Sequence, residues 1–165
     1  EVYKKLTAKL IEDTILTVEE SLRTDFQIDY PKILVTGLNP HSGESSTIGT
    51  EEETLIRPVI LKLLNQGVNV IGPVSADTAF VEKNRSQFDA FVCMYHDQAL
   101  IPIKTLSFSN ESTNITLGLS FVRTSPDHGT AINIAGKDLA NPNSLTLAIE
   151  QAHKIKSVRK INDKR

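Results

Sequence analysis

Tryptophan is missing from this chain, and cysteine and methionine occur once each. The single thiol, Cys93, excludes an internal disulfide and suits a reducing compartment, so a cytoplasmic location is expected. No apolar run reaches the ~20 residues that a membrane-spanning helix needs, and no signal-peptide pattern opens the chain. A surplus of either charge is also lacking: 18 basic residues stand against 20 acidic ones, for a net charge of −2. Nucleic-acid binding usually leaves a basic footprint, and none is present. Neither the G-x-G-x-x-G of the Rossmann loop nor the Gly-Lys-Ser/Thr of a Walker loop occurs, so a nucleotide cofactor has to bind in another way. An initiator methionine is absent as well: the chain opens Glu1-Val2-Tyr3, and Met94 is its only methionine. That reads as a piece of a longer protein, unless processing or the manner of expression removed the methionine.

What is present is a soluble, globular composition, 39% hydrophobic over 165 residues, enough for one domain with a substantial core. Ile11, Ile15, Val18 and Leu22 recur at helical spacing. Lys32 to Gly37 reads as a buried strand. Thr50 with Glu53 has the form of a capping box opening a helix whose apolar face is Ile56, Val59, Ile60 and Leu63. Pro58 marks either a kink in that helix or its proper start, and Gly67 is its stop. Strands are expected at 68–71, 90–94 and 114–119, with a short helix over 78–83. A terminal helix carries Leu145, Ala148, Ile149 and Ala152 and has Ser144 as its N-cap. Its basic residues, among them Lys154, Lys156, Arg159 and Lys160, read as a solvated face. Strand and helix alternate through the middle, so the class is α/β with a mostly parallel sheet flanked by helices. No repeat or linker divides the chain, which reads as one unit over 1–165.

Two histidines stand where predicted strands run out, His41 after KILVTGLNP and His96 after FDAFVCMY. In open parallel sheets the ligand crevice lies outside the carboxyl ends of the strands. Either histidine alone reads as an ordinary loop residue; together they can converge on one metal ion or one substrate. Asp77 and Asp97 stand at strand ends too, able to orient an imidazole, take a proton or bind a metal, or else to cap or open a helix. Lys104, Asn114 and Arg123 lie within one stretch and offer a point charge, an amide and a bidentate fork, suited to phosphate or carboxylate. The block from Pro126 to Pro142 is expected to form a closely packed loop with a helical turn at 132–135.

Six ordered motifs give these residues a context: LNPHSGE at 38–44, GTEE at 49–52, GPVSADT at 72–78, MYHDQ at 94–98, NITLGL at 114–119 and RTSPDHGTA at 123–131. Through them the chain resembles the C-terminal half of the 4-hydroxythreonine-4-phosphate dehydrogenase family, whose fold is like that of isocitrate and isopropylmalate dehydrogenases. The resemblance implies that His41 and His96 are two of three histidines holding a divalent metal (Zn, Mg or Co), the third lying upstream of Glu1 together with a substrate-binding His-Thr pair. It implies that Lys104, Asn114 and Arg123 bind the substrate, a small phosphorylated hydroxy-amino acid, and that Asp77 and Asp97 lie near the reacting centre. The block after Pro126 is similar to the nucleotide loop of isocitrate dehydrogenases, which places the adenosine end of NAD or NADP near His128, Gly129 and Asn141.

The implied activity is NAD(P)-linked oxidation of 4-phosphooxy-L-threonine followed by decarboxylation, in pyridoxal phosphate biosynthesis, by a homodimer. The fragment alone is expected to be inactive, with about 1–140 carrying the metal, substrate and cofactor-loop residues and 141–165 a terminal helix and tail. Two alternatives stay open: a related aldonate 4-phosphate dehydrogenase acting on threonate or erythronate, and a non-catalytic metal- and phosphate-binding module or phosphate acyltransferase-like protein. The sequence departs from the family pattern in Ser45-Ser46-Thr47 and in the polar stretch 107–113.

Overall fold

The computed structural model describes residues 2–106 and 112–162. Helix α1 (Val2–Lys5) leads to α2 (Ala8–Thr24), whose start is fixed by Thr7: its hydroxyl accepts the Leu10 N–H at 3.1 Å. The expected apolar face forms, with Ile11 and Ile15 buried and Val18 and Leu22 packed beside them. This face joins one core cluster with strand β1 (Ile33–Thr36), all four residues of which are buried, as in a central strand covered on both sides. Around it assemble β2 (Val70–Val74) and β3 (Ala90–Val92) in the order β2-β1-β3, with every pair parallel.

Strand β2 begins two residues later than the sequence suggests and continues through Gly72-Pro73. Its pairing with β1 shifts there, from Leu34↔Ile71 to Thr36↔Val74. Gly72 makes this possible: a side chain at that position would stand 2.4 Å from the Val35 carbonyl oxygen.

The capping box expected at Thr50 does not form. Glu53 turns outward to Arg57 at 2.8 Å, and the Thr50 N–H is taken by the Glu51 carboxylate at 3.1 Å. Instead a π turn (Glu52–Ile56) runs into α3 (Arg57–Asn65), so Pro58 falls in the first turn of the regular helix, where its missing N–H costs nothing. Gly67, at φ +89°, ends the helix as expected. In place of one helix over 78–83 there are two single turns, α4 (Ala76–Ala79) and α5 (Glu82–Arg85). The stretch after β3 becomes α6 (His96–Leu106), which contains Pro102.

A second layer follows. Strands β4 (Thr113–Thr116) and β5 (Arg123–Pro126) pair antiparallel, and α7 (Asn143–Asn162) covers one face of this ribbon. Ser144 does not cap α7. It is buried, donating to the Ser112 carbonyl and accepting the Asp127 N–H, both at 2.7 Å. Arg159 likewise leaves the basic face expected of α7. Its guanidinium grips Asp25, just past α2, through two bonds of 2.7 Å and donates to the Leu119 carbonyl at 3.1 Å. That grip fastens the ribbon layer to the parallel sheet's own helix.

Candidate active site at the carboxyl ends of the strands

All three parallel strands end on the same side, and the loops that leave them carry the candidate residues. After β1 the backbone does something unusual for L-residues. From His41 to Ser46 every φ is positive: 52°, 53°, 79° at Gly43, 43°, 55° and 70°. His41 is presented from the first residue of this left-handed turn and is exposed.

After β2, Asp77 lies in the first turn of α4, and Ser75 occupies the N-cap position that the sequence suggests for Asp77. The Ser75 hydroxyl donates to the Asp77 carboxylate at 2.5 Å. That bond, aided by the nearby His41 ring, holds the Asp77 carboxyl below the ordinary aspartate range. His41 and Asp77 share a cleft of about 280 Å³ with Asn39, Ser75, Tyr95 and Gln98 among its walls.

After β3, His96 and Asp97 open α6, and the His96 Nδ1 lies 2.9 Å from the Asp97 carboxylate. Neither lines the cleft itself, although Tyr95 and Gln98, which bracket them in sequence, do. Gln98 is buried and ties the strand ends together. Its Oε1 accepts from Thr36 Oγ1 at 2.6 Å and from the Met94 N–H at 2.8 Å, and its Nε2 donates to the Gly37 carbonyl at 2.8 Å. One amide therefore sets the distance between the loop of His41 and the loop of His96. In the sequence Gln98 and Glu52 stand out only as members of motifs; a glutamine one turn after a strand end is the signal that could have singled out the first of them.

The residues expected to bind substrate gather on and beside the ribbon. Pairing of Asn114 with Ser125 and of Thr116 with Arg123 puts Asn114 and Arg123 on one face of it. The opposite face, with Thr124 bonded to the Ala148 carbonyl at 2.8 Å, meets α7. Arg123 donates to Thr116 Oγ1 at 2.7 Å. Lys104, from α6, reaches the end of β5 and pairs with the Asp127 carboxylate at 2.7 Å while donating to the Asp127 carbonyl.

Burial works against ionising Asp127, but hydrogen bonds from Lys104 and Ser112 outweigh it, leaving its carboxyl below the ordinary aspartate value of 3.8. A carboxyl lowered in the folded state contributes stability that is complete above its unfolded value and is lost as pH falls through the folded one. Urea unfolding followed by circular dichroism should therefore show stability dropping below about pH 4 less steeply in Asp127→Asn than in the parent. Parallel curves would contradict this account of the link between α6 and β5.

The loop expected to be closely packed is not. It holds a 3-10 turn (Ile132–Ile134) but is mostly exposed, Ile132 by 78% and Leu139 by 68%. Its backbone bonds are short-range, such as Ile134 N–H to the Ala131 carbonyl and Lys137 N–H to the Ile134 carbonyl, so it is shaped by its own turns. His128 Nδ1 lies 3.1 Å from its neighbour's carbonyl, the Gly129 oxygen, and Asn141 accepts the Asn143 N–H at 2.9 Å, turning the chain into α7.

The family model described as pyridoxal phosphate biosynthetic protein PdxA matches residues 1–152. A curated 4-hydroxythreonine-4-phosphate dehydrogenase of Bradyrhizobium diazoefficiens is 52% identical over 92% of this chain and 44% of its own length. The crystal structure of 4-hydroxythreonine-4-phosphate dehydrogenase from Klebsiella pneumoniae superposes with a TM-score of 0.79 at 37% identity, covering 96% of this chain and 46% of that one. A terephthalate 1,2-cis-dihydrodiol dehydrogenase from Burkholderia xenovorans LB400 gives 0.72 at 31% identity, over 93% of this chain and 48% of the other. The chain thus spans about half the length of the relatives it matches.

Proposed function

This chain belongs to the family of the pyridoxal phosphate biosynthetic protein PdxA, and from that premise we propose that it carries the cation- and substrate-binding residues of an enzyme acting on 4-phosphooxy-L-threonine. The reaction is oxidation of the C3 hydroxyl by NAD(P)⁺, then decarboxylation to 3-amino-2-oxopropyl phosphate. The observation that carries this reading is the meeting of His41 and Asp77 in one cleft beyond the strands, with Tyr95 and Gln98, the residues on either side of His96 and Asp97, among its walls.

The donor set suits a divalent ion. Both imidazoles are exposed, and the Asp97 carboxylate against His96 Nδ1 leaves Nε2 for a cation, the usual way a carboxylate orients a metal-bound ring. Imidazole donors favour Zn²⁺ or Co²⁺ over Mg²⁺. On the family resemblance His41 and His96 are assigned as two of three histidine ligands; among the described residues no group of three His, Cys, Asp or Glu that could hold a metal is gathered. When bound, the cation supplies a Lewis acid for the hydroxyl, and the nicotinamide supplies a hydride acceptor.

Asp77, which lines the cleft, takes the hydroxyl proton, while Asp97 orients His96. The C3 hydrogen leaves with its electron pair. The 3-oxo acid then loses its carboxylate as CO₂, the neighbouring carbonyl receiving the electron pair of the broken bond before carbon is protonated. Lys104, Asn114 and Arg123 hold the phosphate and carboxylate, using remote binding energy for orientation. His128, Gly129 and Asn141 receive the adenosine end of the nucleotide. We read the enzyme as a homodimer, as the family resemblance implies, and its lone cysteine suits a cytoplasmic location.

One alternative is the same chemistry on threonate or erythronate 4-phosphate; a structural relative named as a dihydrodiol dehydrogenase, 31% identical, supports a fold that serves more than one alcohol. Turnover of each substrate with NAD⁺ and NADP⁺ separates the readings, assayed on the chain together with any sequence preceding residue 1 in its gene. The expected result is one CO₂ released per hydride transferred from 4-phosphooxy-L-threonine. Activity confined to the aldonate phosphates, or coenzyme A binding without NAD(P) binding, would overturn it.

A further inference from the structure

We propose that Glu52 is the positioning residue for His41: its buried carboxylate is the post around which the left-handed loop is wound. The inference rests on the reading that His41 ligates a cation. A left-handed conformation is costly for an L-residue, whose Cβ crowds the following carbonyl oxygen. Five of the six residues from His41 to Ser46 are not glycine. Such a run persists only where something outside it over-determines the backbone.

Glu52 supplies that constraint. It is 1% exposed, and its Oε1 accepts the N–H groups of Leu38 and Asn39, each at 2.7 Å. Its Oε2 accepts Asn39 Nδ2 at 2.9 Å, and the same amide bridges to Glu51 at 2.8 Å. The loop is shaped to close on this group. A side chain at Gly37 would come within 2.9 Å of Glu52 Oε1, one at Gly43 within 2.7 Å of Oε2, and one at Gly49 within 2.2 Å of Asn39 Nδ2. Three glycines around one carboxylate and its amide partner leave little room for another loop path.

The π turn at Glu52–Ile56 belongs to the same device. Three successive glutamates take three tasks: Glu51 bonds Asn39, Glu52 holds the loop, and Glu53 pairs with Arg57. Extra-residue turns of this kind recur inside helices at functional sites. Among the described residues, the hydrogen bonds that Glu52 accepts come from the neutral N–H groups of Leu38 and Asn39, within the loop that would carry the cation.

The test uses Co²⁺ as probe on the chain together with any sequence preceding residue 1, comparing the parent with Glu52→Gln. The isosteric amide keeps the volume but loses the charge and turns a donor toward Asn39 or the backbone. Co²⁺ affinity, read from its visible absorption, should fall roughly 10–100-fold. In the metal-free protein, amide exchange at 38–46 should quicken while the β1 amides keep their protection. A merely structural role would instead loosen both sets together. Should Glu52→Gln fail to fold, Asn39→Ala removes the amide bridge alone and should weaken Co²⁺ in the same direction by a smaller factor. Unchanged Co²⁺ affinity in the folded variant overturns this proposal and leaves the cation reading standing. A parent that binds no Co²⁺ overturns both.

Discussion

In the chain together with any sequence preceding residue 1, replacing His41 or His96 with alanine should abolish stoichiometric binding of a divalent cation and lower turnover on the order of 10³-fold. The size follows from the role assigned. A Lewis acid on an alcohol contributes several kcal/mol to the barrier, and each ~1.36 kcal/mol is tenfold in rate. Neither ring supports the core, since both side chains are exposed, so the variants should fold and melt like the parent. His153 is the control: it lies exposed on α7 in another layer, and His153→Ala should keep both metal content and rate. Metal analysis of purified protein beside steady-state kinetics decides the matter. Parent-like cation content and kcat in both histidine variants would end the metal reading.

Arg159→Met should destabilise the fold by about 3–5 kcal/mol. What matters is which partner is left behind. Asp25 is 3% exposed at its side chain, against 27% for Arg159, so removing the guanidinium strands a carboxylate that water hardly reaches. The lost bond to the Leu119 carbonyl adds to the cost. Replacing both members, as Asp25→Asn with Arg159→Met, should recover much of the loss, because a buried pair removed whole is often nearly neutral. Urea unfolding by circular dichroism measures both. A single variant within about 1 kcal/mol of the parent would show that the pair does not hold the ribbon layer to α2.

The same pair marks where sequence reading ends. Its members are 134 positions apart, and nothing local to a lysine-rich helix singles out Arg159 as the one that turns inward. Periodicity carried further where it sampled burial directly. Ile11, Ile15, Val59, Ile60 and Leu63 were legible as core because helical spacing puts them on one face. The strand-end positions of His41 and His96 were legible for the same reason, as a run of apolar residues says where a strand stops. Capping was not. Thr50, Glu53 and Ser144 fit local patterns whose partners were claimed by Glu51, Arg57 and Asp127. Tertiary competition for the same hydrogen bonds is invisible in a four-residue window. The left-handed turn was hidden too, since serine and glutamate carry no preference for positive φ, and the groups that meet this loop, Glu52 beside Leu38 and Asn39 and the Pro73 carbonyl beside Ser42, lie elsewhere in the sequence.

The order β2-β1-β3 also bears on how the chain is made. The central strand leaves the ribosome first of the three, yet its second neighbour follows far behind: Lys32 and Asp89, bonded at 2.7 Å beside the β1–β3 pair, are 57 positions apart. Until that stretch has been synthesised, the most apolar segment of the sheet waits with one edge open. Slow, late pairing of this kind is where nascent parallel sheets are most exposed to aggregation, so yield from a translating cell should depend on chaperones more than native stability would suggest.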